Sequence, residues 1–274
     1  MNDLLNHPAV QGGVAPFVAA LIVALVLGRF RLGGLAVIVG FCTTVDLVSG
    51  FVFEPLSATR KIVLLALVAP VIGLMVDFAF KPTRLGSAIL ALAAGAAALW
   101  VFWPILQQKD LKLIFVLGGG SALFVAWLVG FSQSFLSQHP IRAGAAGLGL
   151  GIGVGISAVL GASALYGIYG ISLAAAAGAF LLPQMIGGRK YEAGATLILP
   201  LALTAGLLAT ATLILAQLPW YALVALAFIP LAAHLPAPEK SPLWIQAVVI
   251  SACTLAVAAA AIALTWQSGG RLPA

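Results

Sequence analysis

Charge is what this sequence has least of. Asp, Glu, Lys and Arg together make up 7% of its 274 residues, where a soluble domain carries roughly 25%. Such a chain cannot clothe a wetted surface, and no hydrophilic stretch is long enough to fold as a soluble domain. Cysteine is scarce too. Cys42 and Cys253 both fall inside apolar runs, which excludes a disulfide framework and reads as buried free thiols rather than a metal site. Of the three histidines, His7, His139 and His234, each lies at the end of an apolar run beside or near a proline. A haem-binding pair needs histidines within a bundle, so no cofactor is expected. The net charge of +6 is not a nucleic-acid signal, because the lysines and arginines sit at the ends of apolar runs, where bilayer topology places them.

What remains is 63% hydrophobic. Apolar runs recur along the whole length at about 20 residues each, the length of a membrane-crossing helix, rather than as the alternating strands of about 10 residues that build barrels. The sequence therefore predicts an all-α transmembrane protein forming one integral membrane domain over 1–274, with the lipid bilayer as its first partner. Ten spans are predicted: 9–28, 32–53, 61–80, 86–106, 112–133, 143–163, 166–187, 193–216, 219–235 and 243–266. The N-terminus lacks the basic region of a signal peptide, so the first run reads as a retained span. The uncharged stretch from Tyr166 to Gly170 is read as the turn between the sixth and seventh spans.

The chain is organised around the Gly-rich run from Gly144 to Phe180. Gly147, Gly151 and Gly155 form one helical ridge. Gly149, Gly153, Ser157 and Gly161 form a second, rotated by about 200°. Small residues at this spacing let helix backbones approach closely in lipid. The prediction is a crowded central helix with neighbours on two sides, its ridges also offering contact to a protein partner or a second copy.

Shifting the chain by 132 residues lays the first five spans on the last five and carries His7-Pro8 onto His139-Pro140 and Pro104 onto Pro236. The halves are then 1–134 and 135–274. With an odd number of spans in each, they would enter the membrane in opposite senses, a frequent plan of secondary transporters. This layout resembles the drug/metabolite transporter superfamily, which is built as five plus five. The segments PLSATRKIVLLALVAPVIGL (55–74) and LGASALYGIYGISLAAAAGAFL (160–181) are similar to a bacterial family of polytopic membrane proteins without an assigned activity. That resemblance implies a bacterial inner-membrane location. Loops after odd spans hold eight Lys and Arg against five on the other side, which puts the termini in the periplasm.

Few residues within the spans carry chemistry. Asp46 stands about two turns from the nearer end of its span, with Thr43 and Ser49 on the same face. A carboxylate there costs about 2.5–3.5 kcal/mol to insert, so it is a candidate coupling group. The opposing reading is a boundary carboxylate held by Arg60 or Lys61. Asp77 precedes Lys81 by four residues and reads as half of a surface ion pair. Pro70 and Pro200 free backbone carbonyls inside spans, and Gln184 beside Pro183 offers an amide to the same kind of cavity. Tyr166, Tyr169, Trp100, Trp103, Trp220, Tyr221, Trp244 and Trp266 read as an aromatic belt. Trp127 lies deeper and reads as packing, with the lining of a cavity as the alternative.

Enzymatic readings are weak. Neither Asp46 nor Asp77 stands in the GxGD pattern of intramembrane aspartyl proteases. The GGGS at 118–121 lacks the following glycine of rhomboid-type serine proteases, since Ala122 stands there. Two non-enzymatic readings remain: a transporter of small molecules or ions, or a scaffold or accessory subunit of a membrane complex.

Overall fold

The structure is a computed structural model that describes residues 7–30, 32–79, 83–236 and 240–269. Arg31, Lys81 and Arg271, used in the charge count, lie outside them. The described residues form ten helical segments: α1 (Val10–Phe30), α2 (Leu35–Val48), α3 (Ala58–Ala79), α4 (Arg84–Leu106), α5 (Leu111–Phe135), α6 (Pro140–Leu160), α7 (Ala164–Gly187), α8 (Gly194–Leu215), α9 (Trp220–His234) and α10 (Leu243–Gly269). Eight are long and apolar enough to cross a membrane, while α2 and α9 are shorter. The chain is a multi-pass membrane protein. Successive helices are antiparallel, so one face carries the start of α1 and the α2–α3, α4–α5, α6–α7 and α8–α9 connections. This is called the amino-terminal face below.

Two expected boundaries move, each for a backbone reason. The span expected over 32–53 stops at Val48, because Gly50 turns left-handed (φ 64°) and its amide, with that of Ser49, closes on the Val45 carbonyl. Only glycine takes that conformation without a side-chain penalty. The turn expected at Tyr166–Gly170 lies earlier, at Gly161–Ser163. There Ala162 adopts φ 65° and Ser163 N–H returns to the Ala158 carbonyl. Gly167 and Gly170 are helical and serve packing instead.

The two glycine ridges of α6 each find a neighbour. Gly151 and Gly155 face the α7 backbone: a methyl group on Gly155 would stand 2.8 Å from the Ile171 amide nitrogen, and one on Gly151 would collide with that of Ala174. Gly170 returns the contact, since its own methyl would meet the Gly155 Cα at 2.5 Å. Gly147 meets Leu201 of α8 and Ala177 of α7. Gly149 and Gly153 face Thr254 and Ala258 of α10 and Ile229 and Leu226 of α9. Gly161 leaves the ridge and caps α6, its amide bonding the Ser157 carbonyl. Among lipid tails as apolar as the side chains, such close approach supplies association through dispersion. The ridges are thus used inside the chain, against the neighbours on two sides that their spacing predicts.

The most enclosed helix is α8, not α6. Of its most hydropathic stretch 89% is buried, against 72% for α6 and 28% for α10. Its sequence is apolar all round, as a helix surrounded by others must be, and two of its threonines turn their hydroxyls back on the helix. Thr210 donates to the Gly206 carbonyl at 2.9 Å and Thr212 to that of Leu208 at 2.7 Å. Around α8 stand α3, α5, α6, α2 and α7, and α1, α4, α9 and α10 complete the outer layer.

Two substitutions test this packing. Gly151→Val should cost about 1–3 kcal/mol or prevent folding, read as a lower Tm of the detergent-purified protein, while Gly120→Ala, whose methyl meets nothing within 4 Å, should not lower it. Ala162→Gly should raise stability by about 1 kcal/mol, the steric penalty of a left-handed alanine.

Candidate functional site

On the amino-terminal face, the chain between α2 and α3 walls a polar recess of about 240 Å³ against α7. The Ser49 and Tyr169 hydroxyls are 2.8 Å apart, those of Thr59 and Tyr166 3.0 Å. Arg60 donates through Nη1 to the Pro55 carbonyl at 2.7 Å, holding the connecting loop. Two turns deeper, the Phe41 ring meets that of Tyr169 edge-on at 5.4 Å and closes the way inward. Tyr166 and Tyr169 are therefore not belt residues: they are 6% and 0% exposed, because α7 begins at Ala164 and turns both inward, onto Thr59 and Ser49. The tryptophans behave as expected, with Trp100, Trp103, Trp220, Trp244 and Trp266 exposed near helix ends.

The three polar residues expected to act together on α2 do not. Asp46 is exposed, two residues from the end of the shortened helix, and does not line the recess. Thr43 bonds back to the Val39 carbonyl at 2.9 Å. Ser49 alone joins the recess. The proposed partners of Asp46 are engaged elsewhere: Arg60 holds the loop, and Lys61 is 8% exposed, its Nζ donating to the Trp100 carbonyl at 3.1 Å and lying 4.7 Å from the centre of that indole ring. A carbonyl and an aromatic face are both sound company for an ammonium ion held out of water.

Pro70 and Pro200 are buried in the tightly packed pair α3 and α8, and neither lines one of the cavities described here. Gln184 is fully buried and spans a gap, donating to the Phe180 carbonyl at 2.9 Å and accepting from the Tyr191 amide at 3.0 Å. It ties down the α7–α8 connection rather than lining a cavity. Trp127 is 40% exposed on the outer α4–α5 surface, its indole N–H donating to the Ala227 carbonyl where α9 is interrupted, at 3.1 Å. Ser121 of the GGGS run is buried with its hydroxyl unpartnered.

Asp77 has a larger part than a surface ion pair. Its carboxylate accepts from the Ala195 amide at 2.7 Å, the Thr196 amide at 2.8 Å and the Thr196 hydroxyl at 2.6 Å. The Gly194 amide bonds the Ser137 carbonyl at 3.1 Å, and Leu197 bonds that of Ala193 at 3.2 Å. The first amides of α8 are thus satisfied by α3, by the end of α5 and by their own turn, with a negative charge at the positive helix end. Glycines allow it. Gly73, one turn before Asp77, brings α3 against the Ala195–Thr196 backbone, and Gly194 (φ 58°) leaves no side chain to collide with the carboxylate.

Beside this junction the opposite face opens into a groove. A cavity of about 430 Å³ between the end of α3, the end of α5 and the α7–α8 connection shares Val76, Gln133, Ser137 and Gln138 with a second of about 700 Å³ between α4 and α5. The second continues through Arg84, Ser87 and Ser134 into a third of about 620 Å³ along the α4–α5 surface. The helices approach closely here because Gly130 faces Ala91 and Gly95 faces Ala122. Ser134 donates to Ser87 at 2.9 Å across them. Gln133 is 8% exposed, and its Oε1 has no hydrogen-bond partner. Sequence reading passed over Gln133, took Lys61 as a partner for Asp46 and used Arg84 only in the charge count. The signal available was that Gln133 is a lone amide within an apolar run.

The junction at Asp77 generates a test. Asp77→Ala should destabilise the protein by about 2 kcal/mol, and Asp77→Asn by about 1 kcal/mol since one acceptor oxygen survives. Asp46→Asn should leave the Tm unchanged. Thermal unfolding of the three detergent-purified variants distinguishes these outcomes.

No family model matches the chain, and no curated protein matches it. Of the two resemblances noted in the sequence, the statement that stands is the coarser one: a polytopic helical protein with eight helices fit to cross a membrane.

Proposed function

We propose that this chain is a transporter, not an enzyme, that moves small amphipathic molecules by exchanging access between its two polar recesses. One observation carries the reading. The recess on the amino-terminal face sits at the entry to α3, between Ser49 and Arg60, and the groove on the opposite face reaches the entry to α8, between Lys190 and Gly194. A shift of 132 residues carries 57–60 onto 189–192. The same shift brings the starts of α1 to α5 within four residues of the starts of α6 to α10. Equivalent connections thus bear recesses on opposite faces, as inverted halves require.

Packing is consistent with this plan. Of the five pairs that an approximate two-fold axis would map onto themselves, α3 with α8 and α2 with α7 pack on each other. Other pairs differ: α6 packs on α10 and α1 on α7, without comparable contact in their counterparts α1–α5 and α6–α2. The scarcity of polar groups between the recesses favours substrates with a large apolar part. By the excess of Lys and Arg, the face bearing the groove is cytoplasmic. The scaffold reading keeps the scarcity of inner polar groups and loses its other support, because the glycine ridges are filled from within.

The test uses single cysteines in a chain with Cys42 and Cys253 replaced by alanine. Ser57→Cys reports on the recess and Gln138→Cys on the groove, each labelled by a membrane-impermeant maleimide in vesicles of known orientation. Ligands come from a thermal-shift screen of amphipathic compounds. A transported ligand should move the two labelling rates in opposite directions and accumulate in proteoliposomes. Ligands that bind but never accumulate, or that slow both labels alike, would sink the transport reading.

A further inference from the structure

The hydrogen-bond balance of the recess on the amino-terminal face is one-sided, and we propose that this recess binds a small aliphatic acid as its anion. The Ser49–Tyr169 pair is satisfied from within, since Tyr169 can donate to Ser49 and Ser49 to the Val45 carbonyl at 3.2 Å. Thr59 is likewise paired, with Tyr166. Ser57 accepts from the Arg60 amide at 3.4 Å, but its own O–H has no acceptor among the described residues. Arg60 places Nη1 on the Pro55 carbonyl and makes no ion pair among the described residues. That leaves its Nε–Nη2 edge, the kind of edge that takes a carboxylate in two parallel hydrogen bonds. The side-chain groups left without a partner on this rim are therefore donors. No carboxylate competes for them: Glu54 stands on the same connection without lining the recess, and Asp46 does not line it either. A ligand that meets these groups brings acceptors and, beside a guanidinium, a negative charge.

The donors are open and already fixed. Ser57 is exposed and Arg60 half-buried, and both line the recess. The Pro55 carbonyl accepts from the Ser57 amide at 2.9 Å as well as from Arg60 at 2.7 Å, which holds both side chains at one rim before a ligand arrives. Below the rim the wall is apolar. Helix α3 runs inward from Ala58, so Val63 lies deeper than Arg60, and Phe53 and Leu165 complete this part of the wall. The acid group thus stays at the rim and the chain points inward, as far as the contact of Phe41 with Tyr169. At about 30 Å³ for each non-hydrogen atom, as in a liquid, the recess of about 240 Å³ takes about eight. The groove on the opposite face is different, since Lys190 shares it with Asp77 and Glu192. As a substrate assignment this rests on the transport reading, but binding is measured separately from movement.

The experiment measures binding to the full chain, purified in a neutral detergent, by isothermal titration calorimetry. The probes are hexanoate, which has the right size, its neutral isostere hexanamide, the cation hexylammonium, the head alone as acetate, and pentanesulfonate. Hexanoate and pentanesulfonate should bind about tenfold tighter than hexanamide, the factor for a charge-assisted hydrogen bond. Hexylammonium should not bind. Acetate should bind at least tenfold more weakly than hexanoate, since about two buried methylenes already supply that factor. Arg60→Gln should bring hexanoate down to the level of hexanamide, while Arg60→Lys should keep the preference for the anion. Ser57→Ala should weaken hexanoate about fivefold. The ligand series in the parent stands whatever a variant does to the loop, and thermal unfolding without ligand shows which variants keep the parent's stability.

Equal binding of hexanoate and hexanamide by the parent, or a preference for the anion that survives Arg60→Gln, would overturn the site. So would acetate binding as tightly as hexanoate, which would leave only an arginine that attracts small anions. A preference lost in Lys190→Gln but kept in Arg60→Gln would move the anion to the groove and overturn the assignment to the recess. Movement is read apart, as uptake of labelled pentanesulfonate, which stays charged and does not cross a bare bilayer, into proteoliposomes. Anion-selective binding without uptake keeps the site and removes the transport reading. Uptake that Arg60→Gln does not slow keeps transport and removes the site.

Discussion

The start of α8 is the constraint on which the rest of the bundle depends. A helix enclosed on every side cannot give its first amides to water, and lipid offers them nothing. Asp77 meets two of them and the Thr196 hydroxyl, Ser137 meets the Gly194 amide, and the α8 turn closes the next. Each partner comes from a different place: α3, the end of α5 and the chain entering α8. Satisfying one helix start therefore fixes the relative height of three helices. Gly73 and Gly194 are the steric conditions for that junction, since each stands where a methyl group would strike the helix or the carboxylate.

The remaining packing distributes what little polarity the chain has. Small residues bring α6 onto α7 and α10, and α4 onto α5, closely enough that no room is left between them for a polar pathway. Hydroxyls within the helices mostly turn back on carbonyls one turn earlier, as at Thr43, Thr210, Thr212 and Thr265. Polar groups able to meet a ligand are thereby concentrated at the two faces, at Ser49, Thr59 and the two tyrosines on one, and at Gln133, Ser137 and Arg84 on the other. In the proposed transport cycle the α3–α8 contact is what separates these two sets. Opening a path between them requires movement at that contact, and the Asp77 junction lies at one end of it.

Much of the architecture was readable from the order of residues because hydropathy acts locally. A run of about 20 apolar residues has few alternatives to a membrane-crossing helix, so ten helices and nearly all their boundaries followed from composition along the chain. The glycine ridges followed from periodicity alone, since residues four apart must share a face. What periodicity could not supply was the identity of the neighbours on those two faces, which are α7 and α8 on one and α9 and α10 on the other. Gly50 and Ala162 shifted two boundaries because a left-handed residue ends a helix without changing its hydropathy.

The individual polar residues divide along the same line. The sequence determined that Asp77 stands at the end of a helix, that Gln133 is a lone amide in an apolar run, and that Tyr169 lies near a turn. Only the tertiary structure decided what each one meets. Asp77 turns from its own helix to cap α8, 118 residues away. Tyr169 faces inward to Ser49 rather than outward to the lipid interface. Gln133 is left with an unanswered oxygen beside a groove. Helix formation depends on neighbours within one turn of chain. The partner of a polar side chain depends on which distant backbone the packing brings within three ångströms, and that information is spread over helices far apart in the sequence.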